Sequence, residues 1–231
     1  MNRNFNSAVL MIDDSLQALT LAIHEMILNP KLFESSTMLN LNEMDDSEIF
    51  KLFPLNDWIK KAISLGDAWL ARNKNIYSKF TIPITIVRWS SWLNVPAFDE
   101  AIKFSDTQFK VNEEYRTAIL KNVQTFLNRQ KNYENLSSAM KNLAERFCIA
   151  YLKEETSVMR ALWPTLNCNY EVYPSARNEA MTATYKLWIE PISPHLLIPV
   201  ALRFNRKRIE ASSVEYEAIL SSDHSSQTKK L

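Results

Sequence analysis

The stretch Tyr151-Leu-Lys-Glu-Glu-Thr-Ser-Val158, with the run Asn169-Tyr-Glu-Val-Tyr-Pro174 that follows it, decides the fold of this chain. The first part continues a long pattern in which apolar residues recur at the spacing of one buried helix face. The second part is a short run typical of a strand, and Pro174 marks its end. The stretch therefore predicts a helix over about 138–162, then a loop, then a strand that ends at Tyr173.

Glu155 lies in the middle of this apolar helix face, four residues after Tyr151. Burying a carboxylate is costly unless it is paired or has a chemical role. Two interpretations follow. In the first, Tyr151 is a core aromatic residue and Glu155 pairs with a structural arginine. In the second, Tyr151, Glu155 and Tyr173 converge at the end of one helix and one strand and form a functional site.

The rest of the chain alternates strand and helix patterns, which predicts an α/β fold with a mostly parallel sheet and flanking helices. Buried strands are predicted at 7–12 and 81–89, and Pro199 predicts an edge position or a bulge in the strand 196–204. The aspartates 13 and 14 are expected to cap the next helix. The predicted helices cover about 16–28, 56–72, 98–110, 112–129 and, near the end, 212–220. One domain over 1–220 and a disordered tail over 221–231 are expected.

Composition excludes several classes of function. The 231 residues carry a net charge of +1 and contain one glycine. Phosphate-binding loops and dinucleotide turns need several glycines, so no nucleotide cofactor is expected by those means. Two cysteines and three histidines form no metal or disulfide pattern, so no metal is expected and a cytoplasmic location is favoured. No apolar run is long enough to cross a membrane.

The order and spacing of several motifs resemble the cyclodipeptide synthases, which build cyclic dipeptides from aminoacyl-tRNAs. The family's second motif is a Tyr, an aliphatic residue, two variable positions, a Glu, one more residue and a Pro; 151–157 is similar, with Ser157 in place of the Pro. Tyr173-Pro174 is similar to the later catalytic motif of one subfamily. The segments 65–73, 86–94, 114–116 and 126–129 also resemble the family, so the likeness runs from about 7 to 204.

The resemblance implies a Rossmann-like fold similar to the catalytic domains of class I aminoacyl-tRNA synthetases, without a cofactor. It implies that the enzyme takes two aminoacyl-tRNAs in sequence, passes through an aminoacyl-enzyme and acts as a monomer. By the same resemblance, Tyr151 and Glu155 hold the substrate amino group and Tyr173 relays a proton. Leu10, Ile12 and Pro174 would line the pocket for the first amino acid, although Leu10 and Ile12 also fit an ordinary sheet core.

One element of the family pattern is missing. The family's first motif is a strand that ends in Gly-aliphatic-Ser, and this Ser carries the aminoacyl group; no such motif occurs here. One interpretation is that residues 7–14 match the family's next strand, so that the first strand and helix would lie upstream. The other puts Ser15 in the place of the nucleophile. The alternative to an active synthase is a truncated or degenerate homologue that binds aminoacyl-tRNA or amino acids without catalysis.

A basic helix is the remaining candidate for tRNA binding. In another subfamily, a strongly basic helix holds the tRNA. Here the corresponding set is sparse and consists of Lys60, Lys61, Arg72 and Lys74. Four cations on one helix also fit an ordinary solvated helix face, so the sequence is compatible with both interpretations.

Overall fold

A computed structural model describes residues 6–33, 51, 53–173, 177–210 and 213–222. Within these ranges the strands are β1 (Ala8–Ile12), β2 (Ile84–Arg88), β3 (Tyr170–Tyr173), β4 (Ile198–Glu210) and β5 (Ser213–Ser222). The α-helices are α1 (Gln17–Leu28), α2 (Leu55–Tyr77), α3 (Pro96–Val111), α4 (Glu113–Leu127), α5 (Ser138–Ala161) and α6 (Glu179–Thr184). The predicted alternation of strands and helices is confirmed.

The first sheet is a parallel pair. β1 and β2 run side by side, from Ala8 opposite Ile84 to Ile12 opposite Arg88. Helix α2 packs across this pair at Gly66, the only glycine of the chain. A Cβ atom at Gly66 would lie 3.0 Å from the Cβ of Asp14, so the glycine permits the close approach.

The second sheet joins a parallel and an antiparallel pair in the order β3-β4-β5. β4 lies in the middle of this sheet, but at Pro199 the described pairing is on the β3 side alone, which agrees locally with the predicted edge position. The described irregularity in β4 falls elsewhere, at Arg208–Glu210. Pro199 is tolerated because it lies opposite Glu171 of β3, one residue before the pairing with β5 begins at Val200. Two of the three described strand pairs are parallel, in agreement with the prediction.

The predicted helix over 212–220 is wrong, because β5 occupies this segment. The sequence there alternates Val214, Tyr216 and Ala218 with glutamates, which is the period of a strand. A short isolated helix is only marginally stable in water, whereas pairing with β4 stabilises this segment as a strand. The predicted tail begins at 221, but Ser221 and Ser222 still pair with β4, and 223–231 lie outside the described residues.

The core has two clusters of buried apolar side chains. The first joins α1, α2, α4 and the first half of α5, and includes Trp58 and Phe147. The second surrounds Trp89 and Trp163 and takes in the last turns of α5 and helix α6. Tyr151 packs against both clusters. The middle of α5 therefore lies where the two clusters meet.

Candidate functional site

The centre of the site is the carboxylate of Glu155, which is 4% exposed in the middle of α5. The hydroxyl of Tyr151, one helical turn earlier, donates to Oε1 of Glu155 at 3.5 Å. This distance is at the long limit of a hydrogen bond. Among the described partners of the carboxylate there is no arginine, so the interpretation with a structural arginine is not supported. Tyr151 and Glu155 thus form the pair that the helical spacing predicts.

Asn178 holds the other oxygen of this carboxylate. Its Nδ2 donates to Oε2 of Glu155 at 3.1 Å, across 23 positions of sequence. The same side chain caps α6, because its Oδ1 accepts from the backbone N–H of Met181 at 2.8 Å. A backbone N–H can only donate, so this bond fixes which end of the amide is oxygen. The amide hydrogens must therefore point towards Glu155.

The burial of Glu155 changes its protonation. Desolvation raises the pKa of Glu155 to about 7, and the negative charges of Asp13 and Glu171 act in the same direction. The hydrogen bonds from Asn178 and Tyr151 lower this pKa and partly offset the effect. A carboxylate poised near neutral pH can pair with an ammonium group or accept a proton.

Glu154, the preceding residue, is a second carboxylate with a raised pKa. Desolvation raises the pKa of Glu154 to about 7, and a hydrogen bond from Trp89 lowers it in part. The indole Nε1 of Trp89 donates to Oε1 of Glu154 at 2.8 Å. This contact ties α5 to the single turn that follows β2. Glu154 therefore makes a structural contact with Trp89 that was not predicted from the sequence.

Tyr173 is the last residue of β3, and its backbone lies opposite Ala201 of β4. Two residues before it, Glu171 forms an ion pair with Arg177, whose Nε donates to Oε2 of Glu171 at 3.0 Å. The guanidinium of Arg177 also donates to the backbone carbonyl of Leu197 and lies 4.4 Å from the centre of the Tyr185 ring. These contacts hold residues on both sides of 174–176, which lie outside the described residues.

Pro174, a predicted pocket residue, lies outside the described residues. The strand end at Tyr173 and the N-cap of α6, Asn178, nevertheless flank it on both sides. Asn178 contacts α5, and Arg177 contacts β3 and Leu197, the residue before β4. The hydrogen bond from Asn178 thus links the start of α6, the next described element after Tyr173, to the helix that carries Glu155.

The carboxyl ends of β1 and β2 meet in a second polar cluster. Asp14 does not cap α1, contrary to prediction: the N-cap is Leu16, and no side chain accepts a hydrogen bond there. Asp14 instead accepts from Nε of Arg88 at 2.7 Å and from the N–H and hydroxyl of Ser90, each at 2.9 Å. Asp13 accepts from the side chain of Gln17. Asp14 thus connects the end of β1 to the end of β2, and Asp13 binds the first residue of α1.

Ser15, the alternative nucleophile, is 5% exposed. Its hydroxyl has no hydrogen-bond partner among the described residues. A serine nucleophile requires a base within hydrogen-bond reach. The described surroundings of Ser15 therefore do not include the base that activation would need.

An open cleft of about 600 Å³ lies beside the end of β2. Its lining includes Ile63, Arg88, Ser91, Trp92 and Leu166. The guanidinium of Arg88 is already engaged by Asp14, by Asp67 at 2.5 Å and by the carbonyl of Ile63. The cleft lies outside the predicted set of site residues.

The other predicted pocket residues lie in β1. Leu10 is half-buried and faces Ile86 across the sheet, while Ile12 is buried and lies close to Gly66 of α2. The described contact of Ile12 is thus an ordinary helix–sheet contact. Their role in binding an amino acid stays a prediction.

The four cations of the predicted tRNA-binding helix are all exposed on α2. The Nζ of Lys60 lies 3.8 Å from a carboxylate oxygen of Asp57, and both side chains are largely in solvent. Asp67 on the same helix binds Arg88. The helix face is therefore a mixture of both charges rather than a strongly basic stripe.

No cluster that could hold a metal ion is formed by the His, Cys, Asp and Glu residues of the described ranges. Cys148 is buried and Cys168 half-buried, and both are free thiols. In the part of the chain that the structure describes, no helix has the length and apolar character needed to span a bilayer.

Three contacts of the site were not predicted from the sequence, those made by Asn178, Arg177 and Arg88. A signal existed only for Asn178, because an asparagine directly before a helical segment is typical of an N-cap. Its second bond to Glu155 has no local signal. The Arg88–Asp14 pair joins residues 74 positions apart, and only the register of β1 and β2 brings them together.

The fold and the Tyr151–Glu155 pair define a class: an α/β protein with a Rossmann-like arrangement and a buried carboxylate on a central helix. Solved structures of cyclodipeptide synthases have this fold, which confirms the predicted fold class. One, from Fluoribacter dumoffii, is 33% identical, with a TM-score of 0.70, and the match covers 88% of this chain and 79% of that one.

This chain belongs to the cyclodipeptide synthase family. A second synthase structure, from Candidatus Glomeribacter gigasporarum bound to Phe-tRNAPhe, matches the fold at 16% identity and a TM-score of 0.62. That match covers all of this chain and 76% of the other. No protein-family model matches the chain, and no curated protein matches it.

Proposed function

We propose that this chain is a tRNA-dependent cyclodipeptide synthase that joins two aminoacyl groups, delivered as aminoacyl-tRNAs, through an aminoacyl-enzyme. Membership of the family supports the reaction class. The single observation that carries the proposal is the buried carboxylate of Glu155, whose described partners, Tyr151 and Asn178, are both neutral. An aminoacyl ester brings an ammonium group, which is the complementary charge that this carboxylate lacks among the described residues.

The pairing of Glu155 with the substrate ammonium has a physical basis. In a buried setting, an ammonium–carboxylate hydrogen bond is stronger than its neutral counterpart. The ammonium would offset the desolvation that raises the pKa of Glu155, so substrate binding favours the ionised carboxylate. The hydroxyl of Tyr151 contacts Oε1 of Glu155. Glu155 can then accept the proton that the amine must lose before it attacks an ester carbonyl.

Tyr173 supplies the proton relay in this scheme. Its backbone position at the carboxyl end of a parallel strand is where α/β folds bind their ligands. The proposed steps are transfer of the first aminoacyl group to a serine hydroxyl, attack by one amine to form the first peptide bond, and cyclisation through the second amine. Each peptide bond formed releases one ester oxygen as a hydroxyl, on the tRNA or on the serine.

A second candidate function is binding of aminoacyl-tRNA or of an amino acid without turnover. One observation favours it: the hydroxyl of Ser15 is buried without a hydrogen-bond partner among the described residues. A chain that binds the substrate amine at Glu155 but has no activated serine would hold aminoacyl-tRNA and release no product.

The test is expression of the chain in a bacterial host and analysis of the culture medium for cyclic dipeptides by mass spectrometry. We expect product from the wild type and its loss in Glu155→Ala and in Tyr173→Phe. Ser15→Ala separates the two assignments of the nucleophile, since it abolishes product only if Ser15 carries the aminoacyl group. Binding of charged tRNA without any product would favour the second function. The absence of both binding and product would contradict both functions.

A further inference from the structure

The contact between Asn178 and Glu155 carries an inference that rests on the proposed function and extends it. We propose that Asn178 is a positioning residue, which fixes one oxygen of the Glu155 carboxylate so that the other is presented to the substrate ammonium group. Asn178 does not itself touch the substrate in this proposal. It acts through Glu155.

The geometry gives Asn178 a fixed orientation. Its Oδ1 is bound by the N–H of Met181 at 2.8 Å, and its backbone carbonyl accepts from the hydroxyl of Thr182 at 2.9 Å. The amide therefore cannot rotate by 180° without breaking the cap of α6. A donor held in this way binds Oε2 of Glu155 at 3.1 Å, and among the described residues Oε1 has only the long contact to Tyr151.

The support of α6 makes this orientation rigid. The side chain of Asn122 on α4 accepts from the N–H of Ala180 at 2.8 Å and donates to Glu179 at 3.0 Å. Ala180 and Met181 are fully buried. The first turn of α6 is thus anchored independently of Glu155, and the cap is held in place before any substrate binds.

The neighbouring charges show why a neutral donor is needed at position 178. Asp13, after β1, and Glu171, on β3, both raise the pKa of Glu155, and Tyr151 on α5 lowers it. Arg177, the cation next to Asn178 in sequence, forms an ion pair with Glu171. The amide of Asn178 is the larger of the two hydrogen-bond contributions that lower this pKa. It stabilises the ionised form without neutralising the charge that the substrate must meet.

The test uses two variants that keep the cap and remove the donor. Asn178→Ser and Asn178→Asp both retain an oxygen that can accept from the N–H of Met181, since serine and aspartate are good N-cap residues. Neither offers an amide hydrogen to Glu155. The matched control is Asn112→Ser, because Asn112 caps α4 by accepting from the N–H of Tyr115 at 3.0 Å. It changes the same residue type at another N-cap.

The first readout is the titration of the Glu155 carboxyl group by ¹³C NMR, assigned with Glu155→Gln. We expect the pKa of Glu155 to rise by about one unit in Asn178→Ser, by at least as much in Asn178→Asp, and not in Asn112→Ser. The second readout is the pH profile of kcat/KM with purified charged tRNA. In the Asn178 variants the acidic limb of this profile should shift to higher pH by the same amount as the pKa. The value of kcat/KM should then fall about fivefold at pH 7 and recover at higher pH.

The outcomes separate this inference from the proposed function. If the pKa of Glu155 is unchanged in both Asn178 variants, Asn178 is only a helix cap and the inference is overturned. If the pKa moves but the wild type forms no product, the proposed function fails while the positioning of Glu155 stands. If product forms but the profile of Asn178→Ser matches that of Asn112→Ser, the proposed function stands and the inference fails.

Discussion

The guanidinium of Arg88, the last residue of β2, binds the carboxylate of Asp14 at 2.7 Å and so joins the ends of two parallel strands. The Asp14 side chain is fully buried, whereas 29% of the Arg88 side chain is exposed. The same guanidinium reaches Asp67 on α2. One arginine therefore connects β1, β2 and α2 around a single buried charge.

Replacing this arginine should destabilise the protein strongly. Arg88→Met would leave the Asp14 carboxylate buried with hydrogen bonds but without a cation, and breaking such a pair costs about 3 to 5 kcal/mol. The partial exposure of Arg88 reduces this, so we expect roughly 2 to 3 kcal/mol in urea unfolding. Lys60→Met is the control, since both partners of the Lys60–Asp57 pair are exposed. Equal effects of the two substitutions would contradict the assignment.

The sequence predicted those parts of the fold that local periodicity determines. The helix predicted over about 138–162 is observed as Ser138–Ala161, and the strand ends at Tyr173 as expected. Both signals lie within one element, where the spacing of apolar residues reports the buried face. The pair Tyr151–Glu155 was predictable for the same reason, because residues four apart share a helix face.

The rest depended on contacts between distant segments. The bond from Asn178 to Glu155 and the ion pair of Arg88 with Asp14 require the packing of α6 on α5 and the register of β1 on β2. The aspartate was assigned as a cap because the local pattern favours it, but the tertiary partner competes better for a buried carboxylate. Strand β5 was missed because its polar alternation gains stability only beside β4.

Glu155 should make stability depend on pH. Its pKa is about 7 in the folded protein, where burial raises it, against 4.5 ordinarily. Between these values the folded state holds a proton that the unfolded state has released, so the free energy of unfolding falls as pH rises from 4.5 to 7 and is then level. Glu155→Gln removes this contribution and should be the more stable protein at pH 8, by roughly 3 kcal/mol, with little difference near pH 4.

Thermal or urea unfolding of both proteins from pH 4 to 8 measures this effect. Glu100→Gln, at an exposed position on α3, is the control and should follow the wild type at every pH, because surface substitutions are usually near neutral. The pKa of Glu154 is also raised to about 7 by burial, so Glu154 would still lower the free energy of unfolding as pH rises in the variant. If Glu155→Gln is less stable than the wild type at pH 8, the carboxylate is stabilised by partners beyond those described.

The exposed cations of α2 should contribute to tRNA affinity if this helix faces the tRNA. The variant replaces Lys60, Lys61, Arg72 and Lys74 together by glutamine. The plot of the logarithm of the binding constant against log salt should become less steep by about 2 to 3, because each phosphate contact releases counterions. The control replaces four exposed cations elsewhere: Lys103, Lys110, Arg129 and Lys131. Equal changes in slope would show non-specific attraction, and no change in the α2 variant would exclude this helix.

Ser157 should resist replacement by proline, although the family motif it resembles has proline there. It is fully buried in α5, and its hydroxyl lies 2.6 Å from that of Ser105 on α3. Ser157→Ala should cost about 1 to 2 kcal/mol, since the buried Ser105 hydroxyl loses a partner. Ser157→Pro loses this partner and also a helical N–H bond, and its ring crowds the preceding turn, which adds about 3 kcal/mol.

The comparison of these two variants also tests how Glu155 is held. A kink at 157 would move the carboxylate two residues earlier away from Asn178, so Ser157→Pro should lose product more severely than its lower stability explains. Ser157→Ala leaves the helix straight and should keep product formation at temperatures where it is folded. Urea unfolding and mass spectrometry of the same variants measure both effects. If the proline variant is as stable and as active as the alanine variant, α5 tolerates proline at position 157 and the expected kink does not form.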